Sequence, residues 1–178
     1  MAHVFKSGKM VSNQLDAALT NGVGAQELPD GALVVLGNVL ADSTYAGEYE
    51  YDLYEAAAPV AATDEVAIVD YAGISQAAIA GNQYKGISKK LVNLNVPVGT
   101  PTRIRRLYLH DKFWLGEDNF ASAPTVGEFA VAAAGKFTHE PAAALPEGGY
   151  AVKILVEKDL NIGMRLDGKM YLVEVVQL

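Results

Sequence analysis

The sequence predicts a mainly β fold, an antiparallel β-sandwich or barrel with a short N-terminal helix-containing arm. Three observations carry this. Roughly eight runs are either apolar and rich in Val and Leu or alternate apolar with polar residues, as strands do. Gly, Pro and Asp punctuate them at short intervals. Helical periodicity is almost confined to the start of the chain.

Residues 1–28 form the expected arm and 29–178 the β-rich body. Within the arm, Ser12 is an N-cap, Leu15, Ala18 and Leu19 share a helix face, and Asn21-Gly22 is a stop. So short a helix is marginal in water, and Leu15 and Leu19 are expected to lean on the body or on a partner. Asp30-Gly31 signals a turn, with a strand starting near Ala32 in ALVVLGNVL. YEYDLYEA then alternates, with Tyr49, Tyr51 and Leu53 on one face and Glu48, Glu50, Asp52 and Tyr54 on the other. After the connector AAAPVAATDE, VAIVDY reads as another strand, and AGISQAAIAGNQ fits a helical turn or a loop equally well.

A Pro/Gly turn from Pro97 to Pro101 leads into a strand from Thr102 through His110. Arginine on both of its faces, Arg103 and Arg105 against Arg106, predicts an edge or interface strand. In LHDKFWLGEDNF the alternation continues until Gly116 breaks it and EDN turns, so Phe113, Trp114 and Phe120 read as a packed corner. TVGEFAV and GGYAVKILVE are further strands, separated by HEPAAALPEGG, which reads as a surface loop. MRLDGKMYLVEVV has the signature of a hairpin turning at Asp167-Gly168.

The composition narrows the function. The absence of cysteine excludes disulfides and thiolate metal sites. No apolar run approaches the ~20 residues that cross a bilayer, and the start lacks a signal-peptide core, so the expectation is a soluble protein made in the cytoplasm with no membrane partner. The net charge of -7 is unevenly spread: residues 71–110 hold Lys85, Lys89, Lys90, Arg103, Arg105 and Arg106 and no acid, which leaves the remainder at -13. Such a division favours docking onto an acidic protein surface, and with a pI near 4.9 it argues against nucleic acid.

No motif dictates a chemistry. His110 and Asp111 are neighbours, which on a strand point to opposite faces, and Ser122 lacks a nucleophile elbow. His3, His110 and His139 stand apart from one another without metal-ligand spacing, and His139 reads as a surface histidine. No cofactor or metal is expected. Tyr49, Tyr51, Tyr54 and Trp114 would suit a glycan platform in a carbohydrate-binding or host-adhesion module, the leading alternative from a binding class.

Four segments carry a likeness: MVSNQLDAALTNGVGAQELPDGALVVLG, YEYDLYEAAAPVAATDEVAIVDYAG, HDKFWLGEDNFA and GMRLDGKMYLVEVVQL. In their order and style the chain resembles the head decoration, or auxiliary capsid (cement), proteins of tailed bacteriophages. The resemblance implies a β-rich, non-enzymatic virion protein on the outer capsid surface. It would clamp the major capsid protein and self-associate, trimers at local three-fold points included. Under that expectation Arg103, Arg105, Arg106, Lys89, Lys90, Leu15 and Leu19 are the candidate partner contacts. A tail tube or connector subunit is the structural alternative.

Overall fold

A computed structural model describes residues 3, 5–15, 18–41, 52–61, 63–71, 95–162 and 165–178. The fold is mainly β, as expected, with its sheets largely antiparallel. Strands β1 (Phe5–Ser7), β2 (Leu19–Gly24), β3 (Leu28–Pro29), β4 (Leu33–Val39), β5 (Leu53–Ala57) and β6 (Ala67–Val69) come first. They are followed by β7 (Asn95–Val96), β8 (Thr102–Arg106), β9 (Lys112–Gly116), β10 (Phe129–Ala132), β11 (His139–Ala142), β12 (Ala151–Ile162) and β13 (Arg165–Gln177).

These strands make a six-stranded sheet in the order β1-β9-β13-β12-β10-β11, a closed barrel β2-β5-β4-β6-β8, and the small pair β3-β7. Every barrel pairing is antiparallel except that of β2 with β5. The barrel lumen holds small and medium aliphatics, among them Val34, Ala56, Ala67, Val69 and Ile104, and the β3-β7 pair adds Leu28 and Val96 to them. The core between barrel and sheet is heavier, built on Phe113, Leu115, Phe120, Tyr150, Tyr171 and Val173. Each such large side chain, fully buried, contributes about 1.5–3 kcal/mol.

Two barrel strands serve both cores. On β4, Leu33 faces the sheet and Val34 the lumen; on β6, Ile68 faces the sheet while Ala67 and Val69 face the lumen. This explains why VAIV lacks polar alternation: both of its sides are covered.

The structure corrects four expectations. The N-terminal helix does not form, for Val11–Asn13 is a single 3-10 turn and Leu19 opens β2. The described residues of the 1–28 segment give β1 to the large sheet and β2 to the barrel. A closed barrel needs a strand between β5 and β8, and Thr20, Gly22 and Gly24 supply a slim inward face. A Cβ at Gly22 would overlap Ile104 Cδ1 and press on Ala56, so nothing larger than glycine fits at that point of the lumen without displacement.

The arginine-bearing strand β8 is not an edge, since it pairs with β2 on one side and β6 on the other. Asp167-Gly168 does not turn the last hairpin. Ile162 pairs with Arg165, and Asp167-Gly168 falls instead at a register shift inside β13, where the pairing passes from Asp159↔Lys169 to Asn161↔Leu166. Finally, the start of HEPAAALPEGG is strand β11, with His139 fully buried.

Candidate interaction surface

The barrel decides where the arginines go. On β8, Ile104 points into the lumen, so Arg103 and Arg105 point away from it, toward Asp70 at the end of β6. Arg105 Nε lies 2.6 Å and Arg103 Nη2 2.7 Å from the same oxygen, Asp70 Oδ2. Arg105 Nη1 also donates to Ser12 Oγ at 3.1 Å and to Asn13 Oδ1 at 2.9 Å. With its side chain only 8% exposed, Arg105 is an internal tie holding the N-terminal 3-10 turn to the barrel, whereas Arg103 is partly exposed.

Arg106 has the opposite parity and lines a cavity of about 230 Å³ at its end of β8, with Tyr54, Asp64, Glu65 and an apolar wall that includes Leu36 and Val66. Among the described residues no carboxylate pairs with Arg106. Asp64 is engaged elsewhere: its carboxylate accepts the backbone N–H groups of Val60 and Ala61, which hold its pKa below the usual range.

The other sequence candidates are spread out. Leu15 is exposed and Leu19 half-buried. Trp114 lies on the outer face of the large sheet, with Lys158 Nζ 3.8 Å above its ring, while Tyr54 is in the barrel. The two described members of the glycan platform are thus on different sheets. Lys89, Lys90, Tyr49 and Tyr51 lie outside the described residues.

No protein-family model, curated protein or solved structure matches the chain. The roles of its polar residues therefore rest on their geometry.

The expected strand from Thr102 through His110 ends at Arg106, so the His110-Asp111 pair diverges at a turn and not by strand alternation. His110, in the left-handed region at φ 70 and 73% exposed, places Nδ1 3.1 Å from Glu174 Oε1. Asp111 is buried and accepts the backbone N–H groups of Val11 at 2.7 Å and Tyr108 at 3.0 Å. Its burial raises its pKa despite those bonds. One residue faces solvent and the other staples the N-terminal segment to the β8–β9 turn.

A buried polar chain escaped the sequence reading. His139 Nδ1 sits 3.2 Å from the backbone oxygen of Asn119, which can only accept, so Nδ1 carries the proton and Nε2 accepts from the Tyr150 hydroxyl at 2.9 Å. Asn119 Nδ2 in turn donates to the backbone oxygen of Asp30 at 2.6 Å. The Asp30 carboxylate accepts the N–H of Phe5 at 2.8 Å and of Tyr71 at 2.9 Å. Gly31 seats this chain, since at φ 76 it adopts a left-handed conformation and a Cβ there would lie 2.6 Å from Asn119 Nδ2. Burial lowers His139 to about 4 and raises Asp30 to about 7, the latter opposed by its backbone hydrogen bonds. No sequence signal announces these contacts, because the partners lie 11 to 89 residues apart.

Proposed function

We propose that this chain is a non-enzymatic structural protein that decorates and stabilises the capsid of a tailed bacteriophage by binding the major capsid protein on the outer shell. One observation carries the reading beyond the resemblance. The buried ionisable side chains are spent on fastening one element to another: Arg105 ties β8 to the N-terminal turn, Asp111 ties that turn to β9, and Asp30 ties β1 to the barrel. Buried groups used this way favour a mechanically persistent body over a reactive centre, where perturbed groups converge on a cleft. A body of this kind that binds the assembled shell in preference to free subunits shifts the equilibrium toward the shell by mass action.

Quantitative mass spectrometry of purified particles tests this. A copy number comparable with the shell subunit is expected; a handful of copies would move the chain to the tail or to an adhesin, and absence would overturn the reading. Particles stripped of the chain are expected to melt at lower temperature and to recover when it is added back.

A further inference from the structure

Four lysines of the strand segments, Lys6, Lys112, Lys153 and Lys158, come from three separate strands and converge in the fold. Pairing across the large sheet places Lys6, Trp114, Leu172 and Val156 in one row and Lys112, Glu174, Lys153 and Phe129 in the next. Phe113, Leu115, Val173 and Ile154 fill the inner core, and a register shift between Ile154 and Val156 turns Val156 outward beside Leu172, so both rows stand on the outer face. Lys158 joins them beside Met170 and Gly116, over the Trp114 ring at 3.8 Å.

The charge on this face opposes that of the molecule. Among the described side chains, four lysines stand against two glutamates: Glu174, which lies 3.4 Å from Lys112, and Glu140, which lies 3.4 Å from Lys136. Lys6 and Lys153 are exposed and have no acidic partner among the described residues. The chain as a whole carries -7. Between the cations runs an apolar row in which Val156 is 46% exposed and Trp114 and Leu172 are half-buried. The apolar side chains sit on three neighbouring strands, which at ~4.8 Å spacing makes this strip ~10 Å wide, with lysines at its rim.

We propose that the outer face of the large sheet is a docking surface for an acidic patch on a partner protein. Lysine is a strongly hydrated point charge, and among the described side chains this face carries no arginine for bidentate phosphate contacts. The acidic remainder of the chain repels a long polyphosphate more than a local cluster of carboxylates. The apolar row would lie idle against a sugar-phosphate backbone and is used against a protein. That the partner is the shell subunit rests on the function proposed above.

Trp114 is the only tryptophan of the chain, so its emission reports on this face directly. Titration of the full chain with poly-L-glutamate is expected to shift that emission. The double variant Lys6→Glu/Lys153→Glu should weaken the response about tenfold, as should NaCl near 1 M, where the screening length is about 3 Å. Both lysines are exposed, and unchanged circular dichroism verifies that the variant folds. An unresponsive Trp114, an undiminished response in the variant, or tighter binding of oligothymidylate than of poly-L-glutamate would each overturn the proposal. Rebinding to stripped particles separates it from the capsid reading. Wild-type binding lost in the variant supports both; undiminished variant binding removes this face as the shell contact and leaves the capsid reading. A poly-L-glutamate response without any particle binding does the reverse.

Discussion

Two buried polar ties hold distant segments of the chain together, and they are built from opposite materials. Around Asp70 the tie is ionic: two guanidiniums meet one carboxylate oxygen, and Arg105 reaches on to Ser12 and Asn13. Around Asn119 the tie is built on uncharged donors and acceptors, with a hydroxyl, an imidazole and an amide passing hydrogen bonds to the backbone of Asp30. The ionic tie lies beside partly exposed Arg103, where water moderates the cost of burying charge, while His139 is fully buried and stays uncharged. Local solvent access decides which kind of polar link a fold can hold.

Removing one ion from the first tie should have the largest effect. Arg105→Met strips Ser12 and Asn13 of their donor and leaves Asp70 with Arg103 alone. Loss of one partner of a buried pair costs about 3–5 kcal/mol, and partial rescue by Arg103 puts the expectation near the lower figure, read from urea denaturation. A loss under about 1 kcal/mol would erase the distinction between the two ties.

The second tie should reveal itself through pH. His139 has a folded pKa of about 4 against an ordinary 6.5, so the unfolded chain binds the extra proton between those values and stability rises with pH across that window. At 1.36 kcal/mol per unit this amounts to about 3 kcal/mol. Asp30, raised from 3.8 to about 7, acts the other way: the folded state binds the extra proton, and stability falls as pH rises through that range. The wild type is expected to show a shallow profile between pH 4 and 6.5 because the slopes oppose. Asp30→Asn should expose the rising slope and His139→Gln the falling one. Equal slopes in the two variants would refute the assignment.

Smaller effects follow. Tyr150→Phe removes the donor to His139 Nε2 and leaves a buried acceptor unsatisfied, a loss of about 1–3 kcal/mol by thermal or chemical denaturation. The Glu157–Lys169 pair, at 2.7 Å on exposed side chains, serves as the surface reference: Glu157→Gln should change stability by less than about 1 kcal/mol.

Much of the fold was legible in the sequence wherever one face of a strand is buried and the other wet. β5 at Leu53, β9 at Phe113 and Leu115, and the end of β9 at Gly116 with its EDN turn follow from alternation and turn chemistry alone. β2 was not legible, because a lumen that narrow selects Thr20, Gly22 and Gly24, which carry no apolar period. The candidate contacts were legible in part. Lysine parity within each strand could be read, since Lys112 and Trp114 alternate with Phe113 and Leu115. Which strands lie side by side could not, and that adjacency alone gathers Lys6, Lys112 and Lys153 on one face. The burial of Arg105 was hidden for the same reason, its partners Ser12 and Asn13 being 93 and 92 residues away.

The wall shared by β4 and β6 has a consequence for how the molecule comes apart. Leu33 and Ile68 on one side, and Val34, Ala67 and Val69 on the other, cannot be covered until both barrel and sheet are in place. Neither half can melt and leave the other intact, so the two cores act as one cooperative unit in a single unfolding transition. Ladder-bonded amides of this wall should open only by global unfolding and be among the last to exchange with deuterium.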